Sequence, residues 1–198
     1  MKYMGYMIAD NAINILLVIV VVLICQRKML RERKLMAGYL LYAAYLSMML
    51  NVVGFPSVQY LNPQADVNLI PFSDAGGGLL GFILNAVMFV PFGFLVPVIW
   101  KKWRSLLKTG LAGFCMSLFI EVSQFLNFRA SDVDDLLANT LGSIAGYTLA
   151  SLITKKFQRP EAGEGRTKDF YLITAEVMAA MFFVSSYLRS AFYICFMT

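Results

Sequence analysis

Histidine is absent from the 198 residues of this chain. Its absence excludes a catalytic triad built on imidazole, a histidine metal ligand and a histidine proton relay. Cysteine is scarce too: Cys25, Cys115 and Cys195 stand singly in or beside apolar runs, without the close pairs of a metal site or a disulfide framework. Any chemistry must therefore come from the other polar side chains.

Charge is also sparse, because only 15% of the residues are charged whereas 59% are hydrophobic, and the mean hydropathy is +0.67. A soluble fold of this length cannot bury so much apolar surface, so the composition indicates an integral membrane protein whose first partner is the lipid bilayer. The formal net charge of +5 does not indicate nucleic acid as a partner. Its basic residues flank apolar runs instead of forming a stripe with interleaved aromatics.

Six apolar runs approach the length that a membrane-spanning helix needs. They cover residues 8–25, 35–53, 79–100, 106–125, 136–153 and 170–188. The sequence therefore predicts an all-α fold, a polytopic transmembrane helix bundle of about six spans that forms a single integral membrane domain over 1–198. Pro91 and Pro97 predict a bend or break in the third span. Residues 67–72 are either a re-entrant segment or part of a surface loop.

The distribution of basic residues predicts the orientation. Fourteen of the 17 lysines and arginines lie in the three loops that follow spans one, three and five. Lys2, Arg129 and Arg189 fall on the opposite side. Because basic loops stay in the cytoplasm, both termini are expected outside.

Polar residues of three spans are predicted to lie at one depth near the outer surface. At 1.5 Å per helical residue, Asn85, Glu121 and Asn139 lie roughly 9, 6 and 5 Å below the outer ends of spans three, four and five. Small and polar residues form one helical stripe on each of the last two spans. These stripes are Gly113, Ser117, Glu121 and Gln124 on span four, and Asp135, Asn139, Gly142 and Gly146 on span five. The pattern predicts a polar pocket that opens to the outside.

The pocket is the candidate binding site, because ionisable groups are costly inside a membrane. Its candidate ligand-binding residues are Asn85, Glu121, Gln124, Arg129, Asp132, Asp135 and Asn139. Glu121 and Asp135 are also the candidate acid and base of a catalytic site, since differently buried carboxylates divide those roles. The alternative is structural: Glu121 pairs with Arg129, and Asp134 or Asp135 caps span five. Asp132 and Asp134 are expected at the rim.

The DVDD segment at 132–135 raises the question of a metal, since carboxylate oxygens suit a hard divalent cation. No glycine and no distal glutamate follow in the register of an EF-hand loop. No metal site is therefore predicted, and the cofactor is left unassigned. A divalent cation on Asp132, Asp134 and Asp135 stays an open alternative.

Four pieces of sequence occur in order between residues 68 and 147. They are NLIPF at 68–72, Asn85 with FVPFG at 89–93, IEVSQF at 120–125, and Arg129 with DVDD at 132–135, Asn139, Gly142 and Gly146. In this order they resemble the VanZ-like family of membrane proteins, named for a glycopeptide (teicoplanin) resistance protein. The resemblance implies a VanZ-like core at 68–150 with spans three to five. It also implies a multi-pass protein of a bacterial cytoplasmic membrane, with an envelope role that lowers susceptibility to lipoglycopeptides.

Two functions stay open. In the first, the protein is a non-catalytic module whose outer pocket binds a lipid, an ion or an envelope ligand such as a lipid-linked precursor or a lipoglycopeptide. In the second, it is a membrane enzyme that modifies a lipid-linked envelope precursor, with Glu121 and Asp135 as acid and base. No recognisable nucleophile is present, since Ser123 and Ser131 lack a matched base. The first function is therefore favoured.

Overall fold

The computed structural model describes residues 2–26, 33–63, 67–68, 70, 78–127, 131–153 and 165–196. Helices dominate these residues, together with two very short strands. The helices are α1 (Lys2–Cys25), α2 (Arg33–Val52), α3 (Gly78–Ile99), α4 (Leu106–Gln124), α5 (Val133–Ile153), α6 (Thr167–Phe183) and α7 (Ser185–Phe196). The strands are β1 (Val67–Asn68) and β2 (Ser131–Asp132). The described residues also contain two 3₁₀ turns, at Val58–Tyr60 and Lys101–Trp103.

The helices confirm the all-α membrane fold. Four helical stretches are long and apolar enough to cross a bilayer, and α6 with α7 adds a fifth if that pair is one span. The four stretches are Leu35–Val52, Gly78–Ile99, Leu106–Gln124 and Val133–Ile153. In α1, Ala9–Cys25 is a shorter apolar helix. These limits agree with the predicted runs to within a few residues, while the orientation of the termini stays a prediction.

The last predicted span is a bent pair of helices. The axes of α6 and α7 differ by 48° at the break after Phe183. There the Ser185 hydroxyl donates to the Met181 carbonyl oxygen at 2.7 Å. A serine that bonds back to the carbonyl four residues earlier tends to bend a helix. The bend therefore has a local cause, which apolar periodicity alone does not reveal.

The chain divides into two compact units. The first unit comprises Met1–Leu61 and Lys168–Thr198, and the second unit comprises Asn62–Thr167. Buried hydroxyls tie α2 to α6 in the first unit: Tyr39 donates to Asp169 at 2.9 Å, and the Tyr42 and Thr174 hydroxyls lie 2.9 Å apart. The second unit contains α3, α4, α5 and both strands. It includes the range 68–150 proposed as the core, and that domain assignment stays a prediction.

Glycines bring α3 and α5 of the second unit into backbone contact. A Cβ added at Gly142 would lie 2.0 Å from the Ala86 carbonyl oxygen, and one at Gly146 would lie 2.0 Å from that of Val90. From the other side, a Cβ at Gly93 would lie 1.9 Å from the Ser143 carbonyl oxygen. Small residues permit such close approach between membrane helices. Their stripe therefore fixes the spacing of the two helices that carry Asn85 and Asp135.

The prolines of α3 do not break it, because the helix is continuous from Gly78 to Ile99 with Pro91 and Pro97 inside. A break is thus excluded, and the alternative of a bend stays a prediction. A carbonyl of the last turn of this helix also finds a partner beyond its end. The Arg104 Nε donates to the Pro97 carbonyl oxygen at 3.1 Å, just after the helix ends.

Candidate functional site

A short parallel strand pair closes one end of the second unit. In β1 and β2, Val67 is in register with Ser131 and Asn68 with Asp132. The Asn68 amide then donates to Asp132 Oδ2 at 3.1 Å, and its Oδ1 accepts the backbone N–H of Ile70 at 3.2 Å. Two residues of the 67–72 segment are therefore paired with β2, directly before α5. Of the other four, only Ile70 lies within the described residues, so the choice between a re-entrant segment and a surface loop stays open.

Asp132 is the centre of this end. It stands immediately before α5, and its Oδ1 accepts the backbone N–H of Asp134 at 2.9 Å, as a helix N-cap does. Its own backbone N–H donates to Glu121 Oε2 at 3.1 Å. One residue thus joins β1, the end of α4 and the start of α5.

This arrangement corrects two expectations. The cap of α5 is Asp132, not Asp134 or Asp135, because the helix begins at Val133. Asp132 is also not a rim residue, since it is only 7% exposed. Its burial follows from the three hydrogen bonds that surround it, two accepted by its carboxylate and one donated by its backbone.

The next contact links α3 to α5. The Asn85 amide donates to the Asp135 carboxylate, and both side chains are half-buried. An amide that donates to a carboxylate makes a charge-assisted hydrogen bond, about twice as strong as a neutral one. Two members of the predicted pocket, Asn85 and Asp135, are therefore in direct contact, while the common depth of Asn85, Glu121 and Asn139 stays a prediction.

One turn further along α5, Asn139 faces α4. Its Nδ2 donates to the Ser117 hydroxyl at 2.9 Å, and the Ser143 hydroxyl donates to the Asn139 backbone carbonyl at 3.0 Å. Asn139 is 3% exposed, yet its Oδ1 accepts no hydrogen bond from any residue that the structure describes. A buried acceptor without a donor is uncommon and costs about 1–3 kcal/mol.

Glu121 and Gln124 complete the polar face of α4. Both are buried, at 7% and 5% exposure. They share that face with Gly113 and Ser117, so the predicted stripe of α4 is buried as expected. Arg129 lies outside the described residues, and its pairing with Glu121 stays a prediction.

The described residues contain no group of three acidic or cysteine side chains arranged to hold a metal ion. Both oxygens of Asp132 already accept hydrogen bonds from the protein. The open alternative of a divalent cation on the three aspartates therefore has no support from this geometry.

Three polar residues of the site, Ser117, Ser143 and Asn68, are not among the ligand-binding residues predicted from the sequence. Ser117 and Ser143 had a sequence signal, since each lies four residues from a polar residue of its own helix, Glu121 and Asn139. Asn68 had none beyond the resemblance, because its partner Asp132 is 64 positions away.

Comparison with known protein families gives one match. The sequence model of the family described as VanZ/LLP1 matches residues 36–154, more than half of the chain. The match includes most of α2 and all of α3, α4 and α5.

A curated relative adds a second comparison. The chain is 36% identical over 93 residues to Protein VanZ of Enterococcus faecium. That alignment covers 46% of this chain and 56% of the relative, so the chain spans just over half of the relative's length. No solved structure matches the chain.

Proposed function

The chain belongs to the VanZ/LLP1 family, and on that premise we propose that it lowers the susceptibility of a bacterium to glycopeptide antibiotics. It does so as a multi-pass protein of the cytoplasmic membrane, by binding an envelope ligand at the polar end of the second unit. The ligand is a lipid-linked precursor or the lipoglycopeptide itself. The site consists of Asn85, Asp135, Asn139, Glu121 and Asp132.

The buried carbonyl oxygen of Asn139 carries this proposal. A structural asparagine would be expected to have both ends of its amide paired, yet only Nδ2 has a partner among the described residues. The free acceptor lies one turn of α5 from Asp135, whose side chain is half-buried and so partly accessible from the surface. A donor from a ligand would satisfy the acceptor and recover the cost of its burial.

Charge indicates which part of the ligand is bound. In the sequence from Glu121 to Asp135, four carboxylates (Glu121, Asp132, Asp134 and Asp135) stand against one basic residue, Arg129. A negative site disfavours a pyrophosphate and favours an amine or amide. The peptide portion of a precursor, or an amine of the antibiotic, is therefore the group that we expect at Asp135 and Asn139.

The enzyme alternative, with Glu121 and Asp135 as acid and base, has less support. Glu121 accepts a backbone N–H and Asp135 accepts the Asn85 amide, so each carboxylate already holds part of the fold together. Each bond joins two different secondary-structure elements, and such cross-links favour a fixed binding surface. The alternative stays a prediction and is separated from binding by the same experiment.

The test compares variants in a susceptible bacterium that expresses the protein. Asn139→Leu removes the free acceptor at nearly constant volume, and Glu121→Gln removes a charge at constant shape. Thr148→Val, on the exposed face of α5, is the matched control. The inhibitory concentration of teicoplanin is measured at equal membrane abundance of each protein.

We expect cells with Asn139→Leu to have the same inhibitory concentration of teicoplanin as cells without the protein. Cells with Thr148→Val should have the inhibitory concentration of the parent. Glu121→Gln is expected to keep partial protection if the site only binds, because the amide oxygen still accepts the Asp132 N–H. Complete loss at unchanged abundance and melting temperature would support the enzyme. Full protection by a stable Asn139→Leu protein refutes the proposed site.

A further inference from the structure

A second polar cluster lies in the first unit and takes no part in the function proposed above. We name it the Arg189 cluster, and it consists of Arg189, Asn51, Asn11, Ser186 and Ser57. Arg189 donates from one Nη to Asn51 Oδ1 at 3.3 Å and from the other to the Ser186 hydroxyl at 3.2 Å. The Asn51 amide donates to Asn11 Oδ1 at 3.2 Å, and the Ser186 hydroxyl donates to Ser57 at 2.6 Å.

The positive charge of Arg189 is not neutralised within the described residues. Its two hydrogen bonds go to neutral oxygens, and it forms no ion pair with a described carboxylate. Asp10, the acidic residue of α1, instead accepts the Tyr193 hydroxyl at 2.8 Å. A guanidinium has five N–H donors, so three of them have no acceptor among the described residues. Arg189 is therefore a half-buried cation with donors available to an anion.

Beside this cluster, α1 and α7 enclose an apolar groove. Its volume is about 460 Å³, and its lining is wholly apolar, including Leu16 and Val20 of α1 and Leu188 and Phe192 of α7. Leu188 precedes Arg189 directly, so the groove and the cation occupy neighbouring faces of α7. The groove follows α1 from Ile13 to Val20, which at 1.5 Å per residue is roughly 10 Å. This length matches a stretch of acyl chain.

One more buried polar group lies near the cluster. Asn14 of α1 is fully buried, and neither end of its amide has a hydrogen-bond partner among the described residues. It lies one turn from Asn11 and Asp10 on the same face of α1. Burying an amide without a partner is costly, so α1 carries a polar group here that the described hydrogen bonds do not account for.

We propose that the first unit binds an anionic phospholipid, with the phosphate on Arg189 and one acyl chain in the groove between α1 and α7. Charge complementarity favours this occupant, because a phosphate accepts several N–H donors of one guanidinium at once. The groove then accommodates the apolar part of the same lipid. The predicted orientation places Arg189 on the outer side, so the lipid would come from the outer leaflet.

The experiment uses the full chain purified in detergent. Bound lipid is counted by native mass spectrometry, and the melting temperature is followed during titration with phosphatidylglycerol, phosphatidylcholine or inorganic phosphate. Arg189→Gln removes the charge and Arg189→Lys retains it. Ala191→Phe fills the groove, since Ala191 is one of its lining residues. Ala179→Phe, on the exposed face of α6, is the control.

We expect phosphatidylglycerol to bind and stabilise the parent more than phosphatidylcholine. Arg189→Gln should weaken its binding by about tenfold or more, which corresponds to the loss of one charge-assisted hydrogen bond. Ala191→Phe should weaken it by a similar factor, because the ring takes the space of the acyl chain. Arg189→Lys should retain part of the affinity and Ala179→Phe all of it. The melting temperature without lipid shows whether each variant is folded.

Three results would overturn the proposal. Equal binding of the two lipids would remove the role of Arg189. An equal stabilisation by inorganic phosphate, unaffected by Ala191→Phe, would mean an anion site without a lipid. Unchanged lipid binding in a folded Arg189→Gln protein would place any lipid elsewhere. None of these outcomes depends on antibiotic susceptibility, so the two proposals succeed or fail separately.

Discussion

Replacing Gly142 by alanine should separate α3 from α5. The new Cβ would lie 2.0 Å from the Ala86 carbonyl oxygen and 2.8 Å from its carbonyl carbon, whereas ordinary contact begins at 3.4 Å. The obstacle is backbone, so no side-chain rotation relieves it. The two helices must therefore move apart by more than about 1 Å, on the scale at which overpacking of a core is resisted.

The expected cost combines two opposing effects. Alanine favours the helix over glycine by up to about 1 kcal/mol. Overpacking costs typically about 1–3 kcal/mol, and more when backbone has to shift. Separation also stretches the bond between Asn85 and Asp135, which lies one to two turns away. We therefore expect a net loss of roughly 1–3 kcal/mol.

The measurement is thermal unfolding of the purified protein together with its abundance in the membrane. Gly110→Ala is the matched control, because its Cβ would meet only the flexible Ile144 side chain, 3.3 Å away. Gly142→Ala should melt well below the parent, and Gly110→Ala close to it. If Gly142→Ala were as stable as Gly110→Ala, the backbone contact between α3 and α5 would not set the stability of this unit.

Three further predictions concern single contacts. Asp132→Ala should lower the free energy of unfolding by more than the roughly 1 kcal/mol of a lost N-cap, since the hydrogen bond from Asn68 is lost too. Asp132→Asn should recover most of this stability. Equal melting temperatures of the two variants would refute the role of Asp132 as the cap. A double-mutant cycle of Asn85→Ala and Asp135→Ala should show coupling of roughly 0.5–3 kcal/mol, and additivity would contradict their contact. Ser185→Ala should straighten the junction of α6 and α7, measured as a longer distance between spin labels on the two helices; an unchanged distance would show that the hydroxyl does not cause the bend.

Much of the membrane fold could be predicted because its signals are local. A run of apolar residues must be a helix inside a bilayer, and its length is read directly from the chain. The stripe Gly113, Ser117 and Glu121 was correctly assigned to a buried face, because residues four apart lie on one side of a helix. Asn85 and Asp135 were both placed in the predicted pocket, although their direct contact was not predicted.

The details of the site could not be predicted because they depend on non-local pairing. Asn68 meets Asp132 across 64 positions only after β1 and β2 align. With this alignment Asp132 is buried and caps α5, whereas the sequence predicted Asp134 or Asp135 as the cap and Asp132 at the rim. The free oxygen of Asn139 likewise depends on which way its amide turns toward Ser117.

By itself, the sequence determined the class of protein, the helices and the faces that they bury, because a bilayer leaves apolar segments no alternative to the helix. Tertiary structure decided which carboxylate became the cap, which amide kept a free acceptor, and that Arg189 meets neutral partners instead of Asp10. Those choices depend on the distance between backbones, which glycines such as Gly142 and Gly146 set where α3 and α5 touch. The donor–acceptor distance of a hydrogen bond can vary by only a few tenths of an ångström, so the partners are selected only once the helices are packed.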